Sequence, residues 1–283
     1  MNGILVVRKE KGYTSRDVVN VVGKLLGTKK IGHTGTLDPM ATGVLVLCMG
    51  SSLKLVELLT NHDKEYVAKI RLGIETDTLD ITGTVLKEEK VLDITVRDVR
   101  EVLKRFIGKI RQRVPKYSAI KVNGKKLYEY AREGIEVELP VHEVEIYDLQ
   151  LISDIKNNEF TIKCHVSKGT YIRSLVRDIG YELGTVATMI ELERTRLGNF
   201  GIENAYTLED IRGGNYQVFN NLDVLELPKV IVDRELEKKI RNGQVLKKFF
   251  DANMVMILNQ EHELIAIYQV KDEVYVKPYR MFL

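Results

Sequence analysis

The chain has 283 residues, 44% of them hydrophobic and 29% charged, with a formal net charge of +3. This suits one large domain, or one with a small companion, and excludes a disordered or collagen-like chain; no apolar run approaches the length of a membrane-spanning helix. The two cysteines, Cys48 and Cys164, lie in apolar runs without zinc spacing, so buried free thiols in a reducing compartment are expected, and near-neutral net charge leaves any nucleic-acid surface to local clustering.

Residues 3–7 read as a short buried strand, and Gly12 breaks the chain. Thr14 and Asp17 fit a capping box, and apolar residues at 18, 19, 21, 22, 25 and 26 keep helical spacing until Gly27. Lys29 and Lys30 follow, as a solvated turn or a phosphate contact. The stretch 32–45 then stands apart. It holds Gly32, Gly35, Gly43, Pro39, three threonines, His33 and one acid, Asp38, and runs into an apolar strand at 44–49. The glycines permit positive φ or close backbone approach, and Pro39 drives Asp38 extended. Such a loop holds one carboxylate at a fixed angle. A structural Asp-Pro turn, with Asp38 capping its own backbone, has the same signature.

Apolar spacing predicts a helix over 53–59 with Lys54 on its outer face, and clean alternation predicts a strand over 64–73. The polar turn 76–83 carries Asp77 and Asp80, which are rivals to Asp38 or Asx-turn formers. A helix starts after Thr95. Between 111 and 132 seven basic residues (Arg111, Arg113, Lys116, Lys121, Lys125, Lys126, Arg132) face a single acid, Glu129, with Tyr117, Tyr128 and Tyr130 among them. Asn123-Gly124 marks a hairpin turn. A basic hairpin with interleaved aromatics fits RNA, with cations on phosphates and rings on bases; a solvated surface hairpin is the plainer alternative.

Residues 144–151 and 160–166 alternate about Asn157-Asn158, the pattern of an antiparallel pair. Gly169 breaks the second run and a helix follows. Arg173 falls in its first turn, where the helix end is already positive, unless a carboxylate pairs with it. Residues 192–198 read as a basic strand, Thr207 caps a short helix, and the polar stretch from Gly213 reads as a linker. From about 227, four short apolar runs and one short helix predict an appended β unit.

No dinucleotide fingerprint, P-loop, HExxH or GxSxG elbow is present, and His33 has no His or Cys neighbour to share a metal. Taken in order, the remaining blocks resemble the bacterial TruB-type tRNA pseudouridine synthases. Lys11 to Ser15 resembles the family's N-terminal KxxGxTS motif, and Gly32 to Gly43 its GHTGxLDPxATG loop. Lys64-Glu65-Tyr66 with Gly73 to Asp80, Val114 to Gly134, and Ser167 to Arg173 resemble its later blocks, although Val114 and Glu193 depart from common family residues.

The resemblance implies an α+β fold: a mixed, largely antiparallel sheet flanked by helices, plus a small C-terminal PUA-type β unit. Residues 1–226 would form the catalytic domain, with a basic RNA-binding insertion at about 111–140, and 227–283 the PUA-like domain. It implies isomerisation of uridine-55 in the tRNA T-loop on a flipped-out base. Asp38 would be the nucleophile, with Arg173 against it, and Tyr66 would stack on the base near the departing C5 proton. Tyr171 and Leu192 would line the base pocket and His33 would touch the RNA. Lys54, Lys116, Lys121, Lys125, Lys126 and Arg132 would contact the RNA backbone. No cofactor, metal or membrane is expected, and a cytoplasmic monomer acting on the T-stem-loop is. Two rivals remain: a non-catalytic tRNA-binding or folding protein on the same scaffold, and a glycosidase pairing Asp38 with Asp77 or Asp80.

Overall fold

The computed structural model describes residues 1–282. β1 (Gly3–Lys9) is buried except at Arg8. α1 (Ser15–Leu25) starts at the encoded box: Thr14 Oγ1 accepts from Asp17 N at 3.0 Å, and the Asp17 carboxylate accepts from Thr14 N at 2.9 Å. Val18, Val19 and Val22 face inward and pack on Leu5, Val7, Leu45 and Leu47. β2 (Ile31–His33) and β3 (Thr42–Met49) bracket the glycine-rich loop. The helix expected over 53–59 is divided into a 3-10 turn, Gly50–Leu55, and α2 (Val56–Thr60). Gly50 at φ +60° and the bond from Ser51 N to Asn2 Oδ1 tie this segment to the chain start.

β4 (Lys64–Leu72) alternates as expected, and β5 (Ile74–Thr76) and β6 (Val85–Glu88) form a small hairpin. α3 (Val96–Arg105) is capped by Thr95 and Asp98. β7 (Gly108–Arg113) joins the main sheet, with Arg111 opposite Glu143 and Arg113 opposite Val141. The insertion expected from about 111 therefore begins only after Arg113, because β7 supplies the backbone partners for an otherwise open edge. β8 (Lys121–Val122) and β9 (Lys125–Lys126) turn at Asn123 and Gly124, both at positive φ, and continue straight into α4 (Leu127–Arg132). The basic segment is thus a short hairpin plus a helix rather than one hairpin.

β10 (Val141–Leu151) and β11 (Glu159–Val166) pair antiparallel, α5 (Ile172–Glu182) follows, and β12 (Ala187–Leu197) and β13 (Phe200–Gly201) return. α6 (Leu208–Arg212) and α7 (Asn221–Val224) lead out. The stretch read as a linker adds to the edge of β1 instead: Ile4 and Phe219 exchange both backbone bonds, at 2.9 and 2.8 Å.

The main sheet runs β1-β3-β12-β4-β11-β10-β7, with β2 on β3 and β13 on β12. Its pairs are antiparallel except β3 with β12, which meet parallel at Thr42–Glu193 and Gly43–Arg194. α3 and α5 cover β4, β11 and β12, burying Val99, Val102, Leu175 and Ile179 against Ile70, Ile162 and Met189.

The second sheet is built from β14 (Lys229–Ile231), then after α8 (Arg234–Arg241) from β15 (Leu246–Lys247), β16 (Met254–Leu258), β17 (Leu264–Val270) and β18 (Tyr275–Met281). Its order is β14-β16-β17-β18-β15, a curled half-barrel of PUA type. Met256 and Ile267 share a core with Ile4, Val6, Val44 and Val46, so this unit packs on the back of β1 and β3.

The β3–β12 crossing depends on Gly43. It sits at φ +100°, and a Cβ there would lie 2.2 Å from the Arg194 carbonyl oxygen. Gly43→Ala is expected to destabilise the protein by at least about 2 kcal/mol, through strain and overpacking at one point. A urea midpoint compared with wild type measures it.

Candidate active site

The loop 34–41 is fixed by its backbone. Arg194 Nη2 donates to Gly35 O at 3.1 Å. Ser15 Oγ accepts from Leu37 N at 2.8 Å and donates to Leu37 O at 3.1 Å. Gly12 N donates to Pro39 O at 2.8 Å. Lys9 Nζ donates to Pro39 O at 3.3 Å and to Ala41 O, and Ala41 N closes on Asp38 O at 3.0 Å. With its backbone held this way, the Asp38 side chain is not consumed as its own cap, and the structural-turn reading fails.

That carboxylate, one-third exposed, is forked by Arg173: Nε lies 3.0 Å from Oδ2 and Nη2 donates to Oδ1 at 3.3 Å. The guanidinium itself is buried. Its Nη1 donates to Thr78 O at 2.9 Å and its Nη2 to Tyr117 O at 3.0 Å. Two carbonyls and a carboxylate thus offset the cost of a cation in the first turn of α5. Tyr171 is the N-cap of that helix, without a side-chain cap; its N–H donates to Gln112 Oε1 at 2.8 Å.

Among the described residues the buried lysines and arginines are Lys9, Lys64, Arg173 and Arg194, all around this loop. Lys64 Nζ donates to His62 O at 2.6 Å and Thr60 O at 3.1 Å. Arg194 Nε donates to Val44 O at 2.7 Å. Burial lowers the Lys9 ammonium to about 8, partly opposed by the Asp38 charge, and lowers Lys64 to about 8 with help from Arg194.

Tyr66 stands on β4 between Cys164 and Arg194 of the neighbouring strands. Burial pushes its phenol up, against the pull of the Arg194 guanidinium, so it is neutral at pH 7. Burial raises Tyr171 likewise. Tyr66, Leu192, Leu37 and Met40 belong to one apolar cluster, and Leu37 and Met40 flank Asp38 along the chain. His33 lies just before the loop, and its Nδ1 accepts from Gly35 N at 3.3 Å. Burial first, then the charges of Arg194 and Arg16, lower its pKa, so the ring is neutral with Nε2–H as its donor.

The rival acids are spent on turns. Asp80 Oδ1 accepts from Thr78 Oγ1 at 3.0 Å and Thr82 N at 2.9 Å. Asp77 accepts from Thr84 N at 2.8 Å and Tyr117 OH at 3.1 Å. The basic residues divide. Lys121 and Arg132 are exposed, and Lys116, Lys125 and Lys126 half-buried. Lys126 and Arg132 both lie 5.3 Å from the Tyr128 ring, and Lys125 lies 5.0 Å from that of Tyr130 and pairs with Glu133. Those rings serve their own hairpin. Lys54, expected to face RNA, donates from Nζ to Met281 O at 2.6 Å, because the turn that carries it packs under the C-terminal sheet.

Sequence reading missed Lys9, Lys64 and Arg194. A signal existed for the last: Arg194 shares the period-2 face of buried Leu192.

A carboxylate forked by a buried arginine beside a tyrosine-bearing apolar cluster, on a mixed sheet backed by a PUA-type half-barrel, fits an RNA-uridine isomerase of the pseudouridine synthase class, and the family matches show that class. Residues 23–172 match the TruB family pseudouridylate synthase N-terminal domain, and residues 173–235 the tRNA pseudouridylate synthase B C-terminal domain. The chain belongs to the TruB family, whose reaction is the conversion of uridine to pseudouridine in tRNA. It is 44% identical to tRNA pseudouridine synthase B of Clostridium tetani, covering 96% of this chain and 97% of that one. It is 42% identical to the protein of that name from Caldanaerobacter subterraneus subsp. tengcongensis, covering 100% and 99%. Among solved structures, a chain of a Cbf5-Nop10-Gar1 complex aligns with a TM-score of 0.72 at 26% identity, covering 99% of this chain and 84% of that one. A chain of an H/ACA RNP bound to a substrate RNA containing 2'-deoxyuridine aligns at 0.71 and 25%, covering 99% and 85%.

The Lys9 clamp has a pH signature. Folded Lys9 titrates near 8, and an ordinary lysine near 10.5. Between these values the unfolded chain holds the extra proton, so this group's contribution to stability rises with pH across that window. Lys9→Met is expected to lose that rise. At pH 7 it should cost about 1–3 kcal/mol, since the Ala41 carbonyl loses its ammonium donor. Urea midpoints at pH 7 and 9.5 measure both.

Proposed function

We propose that the target is uridine-55 in the T-loop and that Asp38 is the nucleophile. The observation that carries this reading is the Asp38–Arg173 fork: an acid with clamped backbone and accessible side chain, held by a buried guanidinium. The N1–C1′ bond breaks, the uracil turns, C5 bonds to C1′, one proton leaves C5 and one is gained at N1. Atoms are conserved overall, so a positioned carboxylate starts the reaction without a cofactor. Arg173 aims that carboxylate. Tyr66, a neutral phenol, stacks under the base near the C5 proton. Tyr171 and Leu192 wall the pocket, and His33 donates from Nε2 to the RNA.

Everting the uridine costs a few kcal/mol, and stacking on a ring returns about 1–3 kcal/mol. Phosphate contacts supply the remainder. Lys116, Lys121, Lys125, Lys126 and Arg132, in the basic insertion, take this role on the T-stem-loop. Lys54 is left out of this set, because its ammonium donates to the Met281 carbonyl. Residues 1–226 act as the catalytic domain and 227–283 as a PUA-like RNA-binding domain, in a cytoplasmic monomer.

Asp38→Asn should bind tRNA and form no pseudouridine. Tritium release from C5-labelled uridine in a T-stem-loop RNA measures this, and near-wild-type release would reject Asp38 as nucleophile. Tyr66→Phe keeps the stacking ring and removes the hydroxyl. Its single-turnover rate should fall about 10²-fold or more, the usual size of a lost proton-transfer group; an unchanged rate would take the hydroxyl out of the mechanism.

A further inference from the structure

The surface of α1 carries a feature that the catalytic reading does not use. Arg16, Asn20 and Lys24 recur every four residues and are all exposed, so they form one stripe along the helix. Lys29 and Lys30, also exposed, follow in the next turn. With Gly23, Gly27, Thr28 and Ile31, most of these residues line a groove of about 540 Å³. Gly23 shapes its floor. A Cβ there would lie 2.9 Å from Thr28 O, so only glycine lets the 27–31 turn lie flat on the helix.

The cations of this groove, Arg16, Lys24 and Lys29, are unspent, as are their basic neighbours in the chain. Over 11–31 there are five basic residues, Lys11, Arg16, Lys24, Lys29 and Lys30, against one acid, Asp17. Asp17 is taken by the cap at Thr14. Among the described residues none of the five makes an ion pair, whereas cations on other helices do: Lys104 with Glu101, Arg212 with Glu209, Lys239 with Glu235 and Arg241 with Glu237. A groove with glycines on its floor and free cations on its walls fits a chain of phosphates better than a protein surface, whose carboxylates would be less regularly spaced.

The groove also connects to the reaction site. Ser15, the residue before Arg16, holds Leu37 of the catalytic loop by both backbone groups. The Arg16 charge reaches His33. From Arg16 to Lys24 the helix rises about 12 Å, long enough to meet more than one phosphate of a chain lying along it.

We propose that the α1 groove, through Arg16, Lys24 and Lys29 with Lys30 next to them in the chain, binds the phosphodiester backbone of the tRNA running away from the everted nucleotide. It is a second phosphate track in addition to the 114–132 insertion. This rests on the reading of tRNA as substrate and Asp38 as nucleophile.

The test is tRNA affinity as a function of salt for the Lys24→Ala/Lys29→Ala variant of the full chain, measured by filter binding. Both side chains are exposed, so folding is retained. Losing two phosphate contacts should weaken binding roughly tenfold at low salt and make the log–log salt slope shallower by about 1.4–1.8. Lys104→Ala/Arg105→Ala, which removes two paired cations on α3, should move neither. A wild-type affinity and slope in the α1 variant would overturn the proposal, as would an equal loss in the control pair. Failure of the catalytic reading would look different: Asp38→Asn would still form pseudouridine, whatever the salt slope.

Discussion

The structure turns on one ion pair, a buried guanidinium against a partly exposed carboxylate. Arg173 leaves the first turn of α5 and meets three separate segments: the carboxylate of Asp38, the carbonyl of Thr78 in the polar turn and the carbonyl of Tyr117 at the base of the basic insertion. A buried guanidinium has no water to replace any of these, so all must be in place together. The same side chain therefore aims the acid and fixes the walls on either side of it. Asp77 reinforces the junction by accepting from the Tyr117 hydroxyl, which ties the polar turn to the insertion a second time.

Beside the loop lie three cations that are almost wholly buried. Lys9 and Arg194 hold loop carbonyls and Lys64 holds those of Thr60 and His62. Their net positive field suits an anionic acid and an incoming polyanion, and it costs stability that the apolar core must offset. The cysteines take no part. Burial pushes both thiols up to about 12, and both are packed in the core as free thiols, as their apolar surroundings in the sequence indicate.

The C-terminal half-barrel is welded to the catalytic sheet rather than tethered to it. It shares apolar residues with β1 and β3, and Arg280 adds a contact to Glu57 and one to the Lys54 carbonyl. Any surface for RNA on this unit is thereby held at a fixed angle to Asp38. The cost is that Lys54 is drawn into the junction.

The sequence by itself determined whatever depends on neighbours along the chain. Three capping boxes, the valine stripe of α1, the alternation of β4 and β11 and the paired turn residues Asn157-Asn158 and Asn123-Gly124 are local signals, and all appear in place. The motif blocks also marked Asp38 and Arg173 before any fold was known. Only the tertiary structure decided which charges meet. Arg173 and Asp38 are 135 positions apart, and Arg194 and Gly35 are 159 apart. Burial of Lys9 at the end of a strand, the pairing of Phe219 with Ile4 and the capture of Lys54 have the same origin. Each arises where two distant segments bury surface against one another, and a charge is buried or exposed according to what arrives from the far end of the chain.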